Sequence, residues 1–380
     1  MHLELTEDQE FFRTTARRFL EAETPLSTVR ELYDSRDGFD RGWWARAAEL
    51  GWTSLLVAEE HGGGSFSGRP TADAVIVAEE LGRMVAPGPF IPVNLVALAL
   101  SRDGSESQRE LVLSKLLRGE SVAAWAFCEP GGRWDVGSIA TSVVEDGNEI
   151  VVDGTKSFVE SAACAEHILV TGRTPYGLTQ VLVPANAAGV RVISGRSLDM
   201  TRRFGRVELD AVRLPRSALV GRIADAGPAV ELQLRTAIAL QCAGLVGVAD
   251  RVLEFTLEYG HDRFAFGRPI VSFQALKHRI ADMAVLLEGS KAVADALAAA
   301  VDDGDTSASQ LASVAKAYVG AHALDIVDDC VQITGGIGVT WEHDIHMYNR
   351  RAAVDRAVFG SPEEHKQQLL EILQSEGAPT

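Results

Sequence analysis

The rhythm of apolar residues changes twice along this chain, and those two changes limit the fold more than any single motif does. Up to about residue 120 the pattern is helical. "TEDQEFFRTTARRFLEAE" opens with Thr6 followed three residues later by Gln9, the spacing of a reciprocal N-terminal cap. "FDRGWWARAAELGW" and "TADAVIVAEELGRMV" keep the helical spacing, and each ends near a glycine suited to closing a helix. From about 121 to 225 the period shortens to two. "NEIVVDGTKSFVES", "HILVTGR", "TQVLVPA", "GVRVIS" and "GRVELDAVRLP" are short β-branched runs separated by turn formers, which predicts a compact antiparallel β unit. From about 226 the helices return and lengthen. Leu234, Ile238, Gln241, Leu245, Val248, Val252, Phe255 and Tyr259 mark the buried face of one; Leu276, Ile280, Met283 and Leu287 mark the next. "SQLASVAKAYVGAHALDIVDDCVQ" supplies a third, so a helical bundle is expected.

Length and charge narrow the function. A chain of 380 residues is longer than a single core usually organises, so two or three packed units are expected. A net charge of −17 disfavours nucleic acid, because phosphate contacts need clustered Lys and Arg. Cys128, Cys164, Cys242 and Cys330 lie far apart with no C-x-x-C pair, which is neither a zinc framework nor a disulfide scaffold. The charged, amphipathic N-terminus has no secretory h-region, and runs such as "VNLVALAL" are too short to cross a bilayer. A cytoplasmic protein with no membrane span is the expectation.

Two glycine-bearing loops stand out in the C-terminal part. "DRFAFGRPIVSFQ" (262–274) joins the first two bundle helices, and "QITGGIGVTWEHDIH" (332–346) closes the third. Gly335 and Gly336 let backbone approach a ligand closely with amides free for an anion, which Arg263 could meet bidentately. Each loop alone also reads as an ordinary turn. His343 and His346 form H-x-x-H, but no further ligands are spaced to complete a metal site. No G-x-S-x-G elbow, P-loop or G-x-G-x-x-G after a strand is present, which disfavours hydrolase, NTPase and Rossmann dehydrogenase.

Taken together, "AEEHGGGSFS", "CEPGGRWD", "GTKSFVES", "RFAFGRPIVSFQALKHRIADM" and "QITGGIGV" resemble the acyl-CoA dehydrogenase family over essentially the whole chain. The resemblance implies an α+β multidomain fold: an N-terminal all-α domain (1–120), a middle antiparallel β-domain (121–225) and a C-terminal four-helix bundle (226–380). It also implies FAD as cofactor, an acyl-CoA as substrate, an oligomeric assembly, and electron-transferring flavoprotein as acceptor. Arg263, Phe266, Gly267, Gln274, Gln332, Gly335 and Gly336 match the family residues that hold the adenosine-diphosphate half of a neighbouring chain's FAD. Ala265 stands where relatives often carry a polar residue.

Desaturating an acyl-CoA needs a carboxylate poised at the α-carbon and donors on the thioester carbonyl as enolate charge builds. The positions that carry this base in the family are Phe359, before Gly360 in "VFGS", and, in a smaller group, Ala237. Neither accepts a proton. Glu363, Glu364 and Glu231 are acids near helix starts, where they suit the macrodipole. Cys128, Arg133 and Trp134 replace a hydroxyl and two small residues, while Phe158 and Glu160 replace the Trp and Thr presented to the flavin. Trp134 and Glu160 are therefore expected to crowd or repel an isoalloxazine. The sequence points to a subunit of a hetero-oligomeric acyl-CoA dehydrogenase in lipid metabolism that lacks its own base and lends half an FAD site to a related chain. The alternatives are a complete homo-oligomeric enzyme with an unorthodox base such as Glu364, and a non-enzymatic regulatory subunit of the same fold.

Overall fold

The computed structural model describes residues 5–35 and 37–376; residues 1–4, 36 and 377–380 of the segments delimited above lie outside them. The N-terminal part is built from α1 (Glu7–Glu23), α2 (Leu26–Leu32), α3 (Arg41–Glu49), α4 (Pro70–Arg83), α5 (Phe90–Asp103), α6 (Glu106–Gln108) and α7 (Ser114–Leu117). Thr6 caps α1 as its spacing predicts: its hydroxyl accepts from the Gln9 amide at 3.2 Å, and the Gln9 side chain accepts from the Thr6 amide at 3.2 Å. Trp43, Trp44 and Trp52 are fully buried and, with Phe19, form an edge-to-face and tilted aromatic core.

The middle part carries β1 (Ala123–Ala126), β2 (Ser142–Asp146), β3 (Glu149–Glu160), β4 (His167–Thr174), β5 (Gly177–Pro184), β6 (Val190–Ser194), β7 (Phe204–Pro215) and β8 (Leu219–Val220). They make one sheet in the order β6-β7-β3-β2-β4-β5-β8, with β1 added alongside β4. The sheet is mixed rather than purely antiparallel. β1 runs parallel to β4 from Ala123↔His167 to Ala126↔Val170, and β2 meets β4 in parallel at Ser142↔Arg173. The reason is connectivity: β1 enters from the N-terminal helices and is separated from β4 by a long crossover, whereas the meander strands are joined by short turns.

The C-terminal part consists of α8 (Gly227–Asp262), the small hairpin β9 (Phe264–Ala265) and β10 (Arg268–Pro269), α9 (Gln274–Asp302), α10 (Ala308–Thr334), α11 (Ile345–Ala357) and α12 (Pro362–Glu376). The apolar stripe read from the sequence faces inward on α8, with Ile238, Gln241, Leu245, Val248 and Val252 all buried. α8 is long and apolar enough by composition to cross a membrane, which short apolar runs had not suggested. Yet 83% of its most apolar stretch is buried inside the protein, as befits a helix with neighbours on several sides.

Glycines bring α4 and α8 together backbone to backbone. A Cβ on Gly82 would lie 2.0 Å from the Gly244 carbonyl oxygen, and one on Gly247 would lie 1.9 Å from that of Glu79. Polar contacts then tie the three parts together. The Tyr348 hydroxyl of α11 donates to the Arg83 carbonyl at 2.7 Å, Arg83 pairs with Asp250 and Glu254 of α8, and Gln180 of β5 donates to Gln233 of α8 at 2.6 Å.

The link between α11 and α12 is held by one histidine. Phe359 and Gly360 both adopt positive φ, 63° and 100°. His365 of α12 is buried, with Nε2 2.9 Å from the Phe359 carbonyl oxygen and Nδ1 3.1 Å from the Ser313 hydroxyl of α10. Burial pushes its imidazole down to about 4, against the pull of the Phe359 carbonyl.

Two measurements check this packing. Gly247→Ala is expected to lower unfolding stability by about 1–3 kcal/mol, because α4 and α8 must part to admit a methyl group. Gly227→Ala, where a Cβ meets nothing within 4 Å, is the control and should leave the urea midpoint nearly unchanged. For His365, the folded state binds fewer protons than the unfolded between pH about 4 and the ordinary value near 6.5. Stability is therefore lost as pH falls through that window, by up to about 3 kcal/mol from this group. His365→Gln should flatten that part of the difference curve between variant and wild type; an unchanged slope would contradict the assignment.

Candidate functional site

Two places deserve the term site: one beside the middle of α8 and one at its C-terminal end. The first is the turn after α11 and the cleft beside it. Phe359 is only 5% exposed, its ring 4.9 Å from Trp134 in an edge-on contact and 6.4 Å from Trp125 in a stacked one. Trp134 lies nearly parallel to Phe127 at 6.2 Å, and Trp125 is 5.1 Å from Phe127. Four aromatic rings thus fill the space the turn faces. A left-handed backbone on a residue with a Cβ costs about 1–2 kcal/mol, which this aromatic packing offsets.

No acid stands at Phe359 or Ala237 themselves. Ala237 is fully buried in α8. Glu364 and Ser361 cap α12 reciprocally: the Glu364 carboxylate accepts from the Ser361 amide at 2.7 Å, and the Ser361 hydroxyl accepts from the Glu364 amide at 3.3 Å. Glu363 pairs with Arg356 at 2.7 Å, and Glu231 is exposed on the first turns of α8. Each of these acids serves a helix end or the solvent.

The middle-domain substitutions behave differently from one another. Trp134 folds inward onto Phe127 and Phe359, whereas Arg133 points to solvent and pairs with Asp135 at 3.1 Å. Cys128 is buried, and burial pushes its thiol up to about 12. Phe158 is exposed at a positive φ of 52°. Beneath this segment, Lys156 is buried and pairs with Glu129 at 2.7 Å while donating to the Phe127 carbonyl at 3.1 Å. Burial pushes the Lys156 ammonium down to about 8, with Glu129 opposing.

Glu160 corrects the expectation of a bare repelling charge. Its carboxylate accepts two bonds from Arg202, at 2.8 and 2.5 Å, and the same guanidinium reaches Gln241 at 2.8 Å and Asp355 at 2.5 Å. Burial works against the Arg202 charge, but Glu160 and Asp355 outweigh it and hold the guanidinium protonated. Glu160, Arg202, Gln241 and Asp355 line a cleft of about 40 Å³ whose other walls include Leu81, Gly82 and Gly244. That is room for a water molecule or two and not for an acyl chain. Sequence reasoning missed Arg202, Gln241 and Asp355. The available signal was a charged residue in otherwise apolar surroundings: Arg351 and Asp355, four apart, share one face of α11.

The second place is the far end of the bundle. α8 ends there, α9 begins and α10 ends, and an Arg279–Asp329 ion pair joins the start of α9 to the end of α10. Arg263 caps α8 and is exposed; among the described residues its guanidinium has no ion pair or hydrogen bond. Phe266 sits at the hairpin tip, 97% exposed at φ 51°, followed by Gly267 at φ 79°. Ala265 pairs with Arg268 across the hairpin. Gln274 opens α9 and Gln332 lies near the end of α10, both exposed. Gly335 takes φ 71°, and a Cβ on Gly267, Gly335 or Gly336 would meet nothing within 4 Å. The seven residues picked from the two loops therefore share one end of the bundle, with open space before them. The loop beyond is anchored to α2: Arg30 donates to the Trp341 carbonyl at 2.8 Å and pairs with Asp344 at 2.7 Å. His343 accepts from the Ile345 amide and His346 stacks on Trp341; among the described residues no group of three or more His, Cys, Asp or Glu is arranged to hold a metal.

Comparison with known proteins agrees with the layout. Models of the acyl-CoA dehydrogenase N-terminal, middle and C-terminal domains match residues 6–120, 124–212 and 231–374. The acyl-CoA dehydrogenase IpdE2 of Mycolicibacterium smegmatis is 31% identical over 96% of this chain and 98% of its own. Among solved structures, a Tcur3481-Tcur3483 steroid ACAD aligns with a TM-score of 0.89 and 28% identity, over 98% of this chain and 99% of that one. The ChsE4-ChsE5 complex from Mycobacterium tuberculosis has the same fold, with a TM-score of 0.88 at 24% identity over the full length of both chains. With three domain models in order along its length and a relative of 31% identity spanning nearly all of it, the chain belongs to the acyl-CoA dehydrogenase family of flavin-dependent oxidoreductases.

Proposed function

We propose that this chain is one subunit of a two-chain, FAD-dependent acyl-CoA dehydrogenase, and that it supplies half an FAD site without supplying the base. The observation that carries the reading is the contrast between the turn after α11 and the C-terminal end of α8. At the turn after α11, a proton acceptor is replaced by Phe359 packed on Trp134. The adjoining cleft is floored by the Arg202 ion pairs. At the second of these, Arg263, Gly335 and Gly336 stand open to a group from outside the chain.

The residues present fit one half of FAD and not the other. Arg263 can meet a diphosphate with two parallel N–H donors, and a glycine turn can add backbone amides. Gln274 and Gln332 offer amide groups beside them, and Phe266 an apolar cover. In this chain Glu160 is tied to Arg202 and Trp134 packs on Phe359, an arrangement that does not suit an isoalloxazine, so no reaction step is assigned here. FAD bound in a sister chain's cleft would supply the hydride acceptor for α,β-desaturation. This chain's residues would then fix the far end of that cofactor.

The two-chain naming of the Tcur3481-Tcur3483 and ChsE4-ChsE5 structures supports the hetero-oligomer. The description of the former as a steroid ACAD suggests a bulky polycyclic acyl-CoA as the substrate class. Electron-transferring flavoprotein is the acceptor we propose, by family analogy.

The visible spectrum of the purified chain tests the reading. The isolated chain is expected to be colourless, and the product of co-expression with a sister chain to be yellow. One tightly held FAD per chain in the isolated protein would sink the proposal. Arg263→Ala in the mixed complex should weaken FAD retention about tenfold or more, the size of a lost charge-assisted pair of bonds. Phe359→Glu should restore no dehydrogenase activity to the isolated chain, because Trp134 still fills the space; recovered turnover would favour a complete homo-oligomeric enzyme.

A further inference from the structure

The interior of this chain holds an unusual concentration of charge. Arg202 precedes β7 and is 5% exposed, Asp355 on α11 is 2% exposed, and Glu160 ends β3 with only 11% of its side chain exposed. A second pair lies beside the first. Arg351, one helical turn before Asp355, pairs with Asp199 and the Thr201 hydroxyl, and donates to the Ala86 carbonyl at 3.3 Å. Asp199 is in turn fixed by the Thr201 amide at 2.8 Å.

These contacts join every part of the molecule at one point. Ala86 belongs to the N-terminal helices, Glu160 to the sheet, residues 199–202 to the loop before β7, Gln241 to α8, and Arg351 and Asp355 to α11. Buried charges are tolerated only when every member is paired, and removing one partner strands the rest in a medium that cannot solvate them. Such a cluster has two states, assembled or broken. Widening the cleft between α4, the Glu160 strand end and α11 enough for a flat ring or an acyl chain would pull Arg202 from Glu160 or from Asp355.

We propose that the Glu160–Arg202–Asp355 cluster, with Arg351–Asp199 beside it, is an interdomain lock that keeps this chain's own cleft shut without any ligand and excludes ring-sized guests from it. The proposal deepens the reading above, because it gives a physical reason for this chain's cleft to refuse a flavin ring. It also holds for a purely regulatory subunit.

The test uses the full-length purified chain. Tm is followed with and without excess FAD and with and without butyryl-CoA, alongside hydrogen exchange of residues 78–91 and 351–355. The wild-type Tm should not move with either compound. Glu160→Gln and Asp355→Asn should each lower Tm by about 4–6 °C. The double variant should fall by clearly more than the sum of the two, since only it leaves the buried Arg202 without a carboxylate. Exchange in 78–91 should speed at least tenfold in the single variants well below their melting range. Should one of them fail to fold, Arg202→Lys, which keeps a cation but loses the fork, carries the same expectation. Melting within 2 °C of wild type, additive losses or unchanged exchange, in a chain that stays flavin-free, would overturn the lock alone. A mixed complex without FAD would overturn the proposed function alone. A wild-type chain that takes up FAD by itself would overturn both.

Discussion

Much of this structure depends on how closely α4 approaches α8. Gly82, Gly244 and Gly247 let the two backbones touch, and a methyl group at Gly82 or Gly247 would collide with a carbonyl oxygen. Helices meeting at such short range leave a narrow seam, and whatever lies at its edge is forced into contact. Here that edge is formed by Leu81, Gln241 and the Arg202 guanidinium. The narrowness also makes the polar chemistry strict, because a seam that holds a water or two cannot solvate an unpaired charge.

The two ends of the bundle solve opposite problems. Around Phe359, apolar rings and mutually neutralising ions occupy nearly all available space, and each acid in reach already has a partner or faces water. Around Arg263 the reverse holds, with a cation lacking any partner among the described residues and an aromatic ring almost wholly exposed. A folded protein gains nothing from leaving Phe266 and Arg263 bare. Their exposure is what the proposed grip on a neighbouring chain's cofactor requires.

What the sequence made legible, and what it hid, follows from the range of the interactions. The cap at Thr6, the α8 stripe and the change to period two are local, and each is written within about 20 residues. The loops at Arg263 and Gly335 were legible as a pair through the family resemblance, since neither alone exceeds the signal of an ordinary turn. The parallel placement of β1 depends on a crossover, which alternation along a strand does not encode. Glu160 illustrates the limit most clearly. Read along the chain it is a lone charge in a β-strand, and only the fold brings Arg202, 42 residues away, to neutralise it, with Asp355 sharing the same guanidinium. Trp134 was legible only as a large ring; that it packs on Phe127 and Phe359 is set by the fold.

The length of α8 carries one more consequence. From Ala237 to Arg263 the helix runs without a break, and at 1.5 Å per residue the two positions stand ~39 Å apart. A stiff rod of that span sets Ala237 and the open loops far apart within a single copy. That separation accords with the proposal that a cofactor gripped by Arg263 has its reactive end in another polypeptide.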